Sequence, residues 1–426
     1  MYSLNFISLR KTTLRSIRIW VSRSGFIYFL SLFLFVLTIA SSGCTSLFEM
    51  QPHKKWSFVD KSGRTVIAAQ FDDVARDQFG GVTLSHKVFR NFSSGFCAVR
   101  VGNKWGYIDK AGHFIVPAKY DSAGAYSEGL AFVRLGTKYG YIDRTGKVIV
   151  PIEFDVPPAL TSASNANPDW DFSQSLIEKF EFSEGLAVAF RGTKAGFIDK
   201  NGLVVIEPTF IQAQPFFDGL AAVQIAGDQG SAMGHTYIDK VGRIVAASSQ
   251  HCIDYSSNVF VATNGKFGID RRLFFIDLEG KRLSKDEFVD ARIISEGLAA
   301  VSPQLNALSE GKGYGYADST GKIVIAPHFE VSGNNFAANF RHGRAVVTTM
   351  QTDALGNNRN LHGVVDKAGH WVLSPKYDHI SAYCDGLARA MEDGKCLYLD
   401  MDGKTVFRIN GFGNSFSEGL AAVMEQ

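Results

Sequence analysis

The amino-acid sequence predicts an all-β fold of about nine repeated antiparallel units that close into a propeller-like ring. Two observations carry this prediction: one phrase recurs nine times, and the two chain ends each lack a strand partner. The phrase is an aromatic residue or Val, an aliphatic residue, Asp, two variable residues and Gly. The shortest spacing between its aspartates is 34 residues, and the longer ones are typical of one structural unit with loop insertions. The aspartates are Asp60, Asp109, Asp143, Asp199, Asp239, Asp277, Asp318, Asp366 and Asp400.

Each Asp-x-x-Gly is predicted to form the turn of a β-hairpin. A carboxylate accepts hydrogen bonds from backbone amides two or three residues further on, and glycine supplies the positive φ of a type I turn with a G1 bulge. We therefore interpret these acids as turn residues and not as a ring of metal-binding or catalytic groups. The clearest structural turns are Asp109 with Gly112, Asp143 with Gly146, and Asp318 with Gly321.

A second phrase, aromatic-Ser-Glu-Gly-Leu-Ala-x-Val, predicts a strand that follows a Glu-Gly turn. Residues 126–133 and 416–423 are good copies. Alternation along the strand makes both of its faces apolar, so the sheets must be covered on both sides by neighbouring units. A third strand ends near Pro151, which suits only a strand end or an edge. Each unit is therefore expected to have three antiparallel strands.

The two chain ends are expected to complete one unit together. The first hairpin, residues 56–71, lacks a preceding Glu-Gly-Leu-Ala strand, and the last such strand, residues 416–423, lacks a following hairpin. Propellers close in this way and so protect both exposed edges. The sequence predicts antiparallel pairing of residues 420–423 with residues near 56–59. An open β-solenoid with the terminal strand as a cap is the alternative.

The core of the repeat resembles the WG (KWG) repeat family of bacterial proteins. Residues 104–112, Lys-Trp-Gly-Tyr-Ile-Asp-Lys-Ala-Gly, match the Lys-Trp-Gly-aromatic-Ile-Asp-x-x-Gly core in full, and residues 138–143 and 314–318 are close to it. The resemblance covers residues 53–426. It implies a repeat scaffold without a common set of catalytic residues.

The N-terminus resembles a bacterial lipoprotein signal peptide. Five basic residues precede the uncharged run 26–40, whose 15 residues are fewer than the about 20 of a membrane-spanning helix. The Ser-Ser-Gly-Cys that follows resembles a lipobox, with Ser41 where Leu is usual, and implies lipidation of Cys44. We therefore divide the chain into a signal peptide or anchor (1–43), a tether (44–52) and a repeat domain (53–426). An uncleaved anchor helix and ordinary secretion are the alternatives.

Location and charge follow from this division. All three alternatives place the repeat domain outside the cytoplasm, and a lipoprotein would hold it in the cell envelope. Thr45 after the lipidated cysteine favours the outer membrane, facing the periplasm, if the organism is Gram-negative. The formal net charge is +2, and it becomes −3 without the five basic residues among the first 25. No basic surface remains, so nucleic acid is not an expected partner.

No catalytic or metal-binding pattern stands out in the sequence. The cysteines lack zinc spacing, and the Asp-Met-Asp-Gly at residues 400–403 lacks the further oxygen ligands of a calcium loop. No nucleophile elbow or phosphate loop is present. We expect no cofactor, no metal and no enzymatic activity. A buried thiol is the preferred interpretation of Cys384, and a disulfide with Cys396 is the alternative.

Insertions in the longer units are the candidate binding surface. The segment 155–180 contains Asp169-Trp170-Asp171, in which Trp170 is a candidate aromatic anchor for a peptide or a sugar. Such insertions often gather on one rim of a repeat fold. The sequence therefore predicts a non-catalytic, membrane-anchored lipoprotein whose scaffold binds another macromolecule, an unknown protein or glycan. A glycan-binding or glycan-active propeller is the alternative. Shorter insertions lie at 75–90, 226–234, 302–313 and 351–361.

Overall fold

The chain forms two compact units, Met1–His53 and Lys54–Gln426. In the first unit, β1 (Ser3–Phe6) pairs antiparallel with β2 (Ile17–Trp20). Within the residues described, no helix is long and apolar enough to span a membrane. Cys44 and the apolar run before it lie outside these residues. The computed structural model describes residues 3–6, 17–20, 54–74, 91–157, 177–225, 236–245, 252–263, 272–303, 312–330, 338–352 and 358–425.

The second unit is built almost wholly of short β-strands. A turn of 3-10 helix spans Glu178–Phe180. The strands are, in chain order, β3 (Trp56–Asp60), β4 (Thr65–Phe71), β5 (Asp73–Val74), β6 (Phe92–Ser93), β7 (Phe96–Val101), β8 (Lys104–Asp109), β9 (Phe114–Tyr120), β10 (Ser122–Ser127), β11 (Leu130–Leu135), β12 (Lys138–Ile142), β13 (Val148–Asp155), β14 (Ala187–Arg191), β15 (Lys194–Ile198), β16 (Val204–Phe210), β17 (Gln212–Ala213), β18 (Ala221–Gln224), β19 (Thr236–Ile238), β20 (Cys252–Ser256), β21 (Val259–Thr263), β22 (Leu273–Ile276), β23 (Asp290–Ala291), β24 (Leu298–Ser302), β25 (Lys312–Asp318), β26 (Ile323–Glu330), β27 (Arg344–Thr352), β28 (Asn358–Asp366), β29 (Trp371–Tyr377), β30 (His379–Ile380), β31 (Ala388–Glu392), β32 (Lys395–Leu399), β33 (Thr405–Ile409), β34 (Gly411–Gly413) and β35 (Leu420–Glu425).

These strands form a ring of nine antiparallel blades, as predicted. In blade 3 the sheet order is β10-β11-β12-β13, which we name strands A, B, C and D. Strands B and C are buried on both faces, whereas D alternates between exposed and buried residues and so lies at the perimeter. Blades 1 to 9 contain β34-β35-β3-β4, β5–β9, β10–β13, β14–β16, β17–β19, β20–β22, β23–β26, β27–β29 and β30–β33.

The turns of each blade emerge on two faces of the ring. Because the strands are antiparallel, the A–B and C–D turns share one face, which we call the AB face. The B–C turns and the D–A connections share the other, the BC face. Blades 7 and 8 form one continuous sheet through a single residue pair, Glu330 opposite Thr348, where the D strand of blade 7 leads into blade 8.

The predicted closure of the ring is confirmed. β35 pairs antiparallel with β3, with Asp60 opposite Leu420 and Ser57 opposite Val423. The two ends of the chain thus build blade 1 together, and the open solenoid is excluded. Close packing continues around the joint, because a Cβ added at Gly63 of blade 1 would lie 2.7 Å from the Phe407 ring of blade 9.

The sequence predicted three strands per unit, and in blades 1, 2, 3, 7 and 9 the structure adds a fourth, strand A. In blade 3, the register of this strand shifts between Ala123 and Tyr126. In blade 2, residues 75–90 separate the two corresponding pieces, β5 and β6, which both pair with β7. A bulged or interrupted strand lacks the alternating pattern by which strands are recognised in a sequence, so strand A was missed.

The Trp-Gly of the repeat reflects close packing of strands C and D. A Cβ at Gly106 would lie 2.5 Å from the carbonyl oxygen of Val116, so only glycine fits where D crosses the blade. The pairing register shifts at this point. Pro117 follows at the outer edge, where its missing N–H costs no ladder hydrogen bond. Trp105 is buried in the same cluster.

Candidate functional site

The C–D turns on the AB face hold the aspartates of the repeat. The Asp143 carboxylate accepts hydrogen bonds from the Thr145 and Lys147 amides at 2.9 and 3.0 Å, and Gly146 has a φ of 82°. The Thr145 hydroxyl, more than any other contact, holds the pKa of Asp143 below its ordinary value. These oxygens are occupied by their own turn. The same arrangement holds Asp109 with Gly112 and Asp318 with Gly321.

The glutamates of the second phrase join neighbouring blades, a role that the sequence analysis missed. Glu128 and Gly129 both have positive φ, as in the type I′ turn of a two-residue hairpin. The Glu128 carboxylate accepts a hydrogen bond from the Gly185 amide of blade 4 at 3.0 Å. It also forms an ion pair with Lys200, in the C–D turn of blade 4, at 2.9 Å. We call this arrangement the AB clasp.

The electrostatics of the AB clasp favour the ionised carboxylate. Partial burial alone would raise the pKa of Glu128, yet the Lys200 ammonium and the backbone amides hold it below its ordinary value. The acid-to-amide bond recurs at six junctions: Glu418 to Gly95, Glu128 to Gly185, Glu184 to Gly219, Asp218 to Ser257, Glu296 to Gly343 and Asp385 to Gly419. The lysines that complete it are Lys110, Lys200, Lys240, Lys367 and, through a backbone carbonyl, Lys61.

Serine and tyrosine side chains of the two phrases also bond to the next blade. The Ser127 hydroxyl donates to the Phe182 carbonyl at 2.6 Å, and the Tyr141 hydroxyl donates to the Phe180 carbonyl at 2.5 Å. The phrases therefore specify how one blade docks on the next. Equivalent bonds join Ser93 to Tyr126, Ser256 to Ile294, Ser295 to Phe340, Ser417 to Phe92, Tyr107 to Gly124, Tyr316 to Ala338 and Tyr398 to Asn414.

A second clasp lies on the BC face. Lys138, on strand C of blade 3, forms an ion pair with Asp155 at 2.6 Å. The other Asp155 oxygen accepts a hydrogen bond from the Gly192 amide, in the B–C turn of blade 4, at 2.8 Å. The lysine of Lys-Trp-Gly is thus a docking residue. The BC clasp recurs as Lys55, Asp72 and Gly102; as Lys104, Asp121 and Gly136; and as Arg359, Asp378 and Asp393.

In the described part of the chain, the BC clasp occurs only where the next blade has a two-residue B–C turn. A tight turn places one amide at a fixed position, which the aspartate then meets. Ahead of the longer connections of blades 5 and 7, Ile211 and Val289 stand where that aspartate would be. The tight turns are flanked by the pairs Val101–Lys104, Leu135–Lys138, Arg191–Lys194 and Glu392–Lys395 of blades 2, 3, 4 and 9.

The BC face therefore divides into two parts. Blades 2, 3, 4 and 9 form the clasped arc, and blades 5 to 8 form the unclasped arc. Three insertions expected from the sequence arise in the unclasped arc, and residues 264–271 add a fourth that the sequence analysis missed. The other two expected insertions, 75–90 and 155–180, fall elsewhere in the chain: the first separates β5 from β6, and the second separates β13 from β14. The unclasped connections run from Gln224 to Thr236, Thr263 to Leu273, Ser302 to Lys312 and Thr352 to Asn358.

The candidate binding residues Asp169, Trp170 and Asp171 lie outside the described residues. The chain re-enters the described structure at Ile177, whose side chain is buried between blades 3 and 4. The Phe180 ring stacks on Phe132 with 5.3 Å between centroids. The end of this insertion is therefore held by the core.

Cys97, Cys384 and Cys396 are buried thiols that form no disulfide. The alternative of a disulfide between Cys384 and Cys396 was therefore wrong. Burial raises the pKa of the Cys97 thiol, which makes a reactive thiolate unfavourable there. Within the described ranges, no group of three or more His, Cys, Asp or Glu side chains could hold a metal ion.

The Asp254 carboxylate belongs to neither clasp. Asp254 lies on strand A of blade 6 and accepts a hydrogen bond from the adjacent Tyr255 amide at 2.9 Å. Burial raises the pKa of Asp254 to about 7, against the opposing effects of that amide and of Arg292 in blade 7. Asp254 is thus a costly charge near the seam between two blades of the unclasped arc.

Nine blades joined by clasps define a repeat propeller, and the chain belongs to a known class of such repeats. Its sequence contains the WG containing repeat at seven places. No curated protein sequence matches it. The family model matches residues 56–78, 87–105, 105–139, 139–156, 196–227, 314–349 and 363–396.

Solved structures with a similar fold are distant. Apo AztD from Citrobacter koseri is 13% identical, with a TM-score of 0.34, and the match covers 78% of this chain and 98% of AztD. The Pan2 WD40 domain of Neurospora crassa is 12% identical, with a TM-score of 0.29 over 71% of this chain and 87% of that domain. An oligogalacturonate lyase in complex with manganese is 13% identical, with a TM-score of 0.30 over 74% and 98%. At these values the likenesses assign no function.

Proposed function

We propose that this protein is a non-catalytic lipoprotein of the cell envelope whose ring binds another macromolecule through the unclasped arc of the BC face. The observation that carries the proposal is the division of that face. Four consecutive blades replace the tight, clasped B–C turn with a longer connection, whereas the clasped arc keeps the same short geometry throughout. Loops on a rigid scaffold commonly carry recognition.

The repeated charges support a binding scaffold better than an enzyme. The aspartates of the C–D turns, the glutamates of the AB clasp and the lysines of the BC clasp each have a structural partner. A hydrolytic site would need carboxylates that are not used in this way and that converge on a substrate. The residues that recur therefore serve docking, and recognition falls to the residues that differ between blades.

Shortening the loops tests the binding surface. In the full chain, each of the four connections in blades 5 to 8 is replaced by the blade 3 turn, residues 135–138, and captured envelope material is compared. The matched control replaces Gly136-Thr137 of blade 3 with Asn-Gly, which also forms a tight turn. We expect at least one of the four replacements to abolish capture and the control to retain it. If all four variants retained capture, the unclasped arc would be excluded as the binding surface.

The anchor is tested separately by lipid labelling. The short apolar run followed by Ser-Ser-Gly-Cys suits processing and lipidation better than membrane spanning. Labelled palmitate is expected to enter the wild-type chain and not Cys44→Ala. Equal labelling of both chains would contradict the lipoprotein assignment and leave the binding proposal untouched.

A further inference from the structure

The junction between blades 2 and 3 keeps only the donor half of an AB clasp. Ser94 stands where the clasp acid stands elsewhere, and its φ of 57° matches the 52° of Glu128. Gly129 occupies the position of the amide donor, and Arg144 occupies the C–D turn position that Lys200 holds in blade 4. The amide and the cation are both present, while the carboxylate that would join them is not encoded.

In the part of the chain described, neither donor is matched by an acceptor. At the filled junctions, the Gly185 and Gly219 amides each lie 3.0 Å from a carboxylate oxygen of the preceding blade. Among the described residues, the Gly129 amide has no such bond and Arg144 forms no ion pair. The turn is also accessible, because a Cβ added at Gly129 would meet no atom within 4 Å.

The three residues converge on one junction. Ser93, next to Ser94, donates a hydrogen bond to the Tyr126 carbonyl of blade 3 at 2.6 Å. The Tyr126 ring packs against Tyr107 of blade 2, with 4.9 Å between centroids. Arg144 acts on this ring too: burial raises the pKa of Tyr126, and the Arg144 charge opposes that rise. The Tyr126 hydroxyl also donates a hydrogen bond to the Asp143 carbonyl at 2.9 Å, which places the C–D turn that carries Arg144 beside this ring.

The other two junctions without a clasp acid differ from this one. Where Ser257 replaces the acid, the C–D turn of the next blade carries Ser319 in place of Lys. Where His342 replaces it, the next blade carries Met401. The cation is thus absent together with the acid at both, and only the junction between blades 2 and 3 retains it. It retains it as arginine, whose planar fork suits a carboxylate better than lysine does.

We propose that this junction binds a carboxylate of a partner polypeptide, an Asp or Glu side chain or a C-terminus, between the Gly129 amide and the Arg144 guanidinium. The filled AB clasps supply the precedent, because in them a glycine amide and a cation of the same blade hold one carboxylate of the preceding blade. The site lies on the AB face, opposite the unclasped arc, and does not depend on the function proposed for that arc.

The test follows glycine amides in the full chain labelled with 15N-glycine. The probes are a capped Gly-Glu-Gly peptide, its Gly-Gln-Gly counterpart and sodium acetate, all at equal ionic strength. We expect the Gly129 resonance to shift saturably with the Glu peptide and not with the Gln peptide. The Gly185 amide, already bonded to Glu128, should stay in place and serves as the internal control.

Two variants make the test specific. Ser94→Glu should form the clasp internally, move the Gly129 resonance toward that of Gly185 and abolish the response to the peptide. Arg144→Gln should weaken peptide binding about tenfold, in proportion to the loss of a charge-assisted contact. An unchanged Gly185 resonance shows that each variant is folded.

Three outcomes would overturn the proposal. The first is the absence of a saturable shift at Gly129, and the second is full binding by both variants. The third is acetate binding as tightly as the peptide, which would assign the site to free carboxylates instead of a polypeptide.

Discussion

The clasped and unclasped arcs of the ring are built from the same repeat but differ in their B–C connections on the BC face. Asp155 of blade 3 accepts a hydrogen bond from the Gly192 amide of blade 4. At the corresponding position of blade 4, ahead of the longer connection of blade 5, the residue is Ile211. The core phrases hardly change between the arcs, because strands B and C stay buried in both. The comparison teaches that the aspartate of the BC clasp accompanies a tight B–C turn in the next blade. The loss of this aspartate marks where the ring departs from its own pattern.

The largest effect is expected when the ring is opened, since both arcs depend on its closure. Deleting residues 416–426 removes β35 and uncovers the edge of β3 and the apolar cluster that Leu420 and Ala422 complete. We expect thermal unfolding to lose cooperativity and the chain to aggregate, as exposed edges promote association. Chromatography and calorimetry measure this. A monomer with an unchanged melting temperature would show that β35 is dispensable.

The C–D turns are expected to be equally sensitive in both arcs. Gly146→Val in the clasped arc and Gly321→Val in the unclasped arc should each lower the free energy of unfolding by about 1–3 kcal/mol, because Val is forced to positive φ. Crowding adds to this, since the Cβ would lie 2.9 Å from Val116 and 2.3 Å from Ser284. Chemical denaturation measures both, with the milder Asp143→Asn as control. A marked difference between the arcs would contradict the claim that they share one core.

The unclasped arc should respond to pH through Asp254, at the seam of blades 6 and 7. Its folded-state pKa is raised from 3.8 to about 7, so the stability of the protein falls as the pH rises from about 4 to about 7 and levels off above that. Asp254→Asn should therefore stabilise the protein by about 1–3 kcal/mol at pH 8. The gain should shrink as the pH falls and vanish near pH 4. Denaturation at several pH values tests this, and a gain that does not depend on pH would contradict it.

The smallest effect is expected from removing one BC clasp. Asp155→Ala should cost about 0.5–1 kcal/mol, because the Lys138–Asp155 pair is largely exposed and only the Gly192 amide is left without its acceptor. The pKa of Asp155 is lowered chiefly by its hydrogen bond with Lys138. The wild type therefore loses this contribution to its stability at low pH, where the carboxylate becomes protonated. Ile211→Ala is the comparison in the unclasped arc, where no ion pair is removed. If this variant also showed a salt-dependent loss of stability, the result would argue against a clasp at Asp155.

Much of the fold could be predicted from the sequence, and the site far less. The hairpin phrase and the unmatched strands at the two ends predicted nine units and the pairing of β3 with β35, because both depend on local turn chemistry and on a simple count. Strand A was missed because its bulge breaks the alternation. The clasps were missed as well: Glu128 and Lys200 meet only after two blades stack, and their separation along the chain shows no periodic signal.

The central claim, that the two arcs differ in function, is tested most directly by placing a photo-reactive amino acid at matched exposed positions. Met350 in blade 8 and Leu135 in blade 3 both lie on strand B near the BC face, and they are 42% and 41% exposed. In the intact cell envelope, a label at Met350 is expected to cross-link one macromolecule of defined mass, and a label at Leu135 is expected to cross-link none. Equal cross-linking from both positions, or from Leu135 alone, would contradict the account.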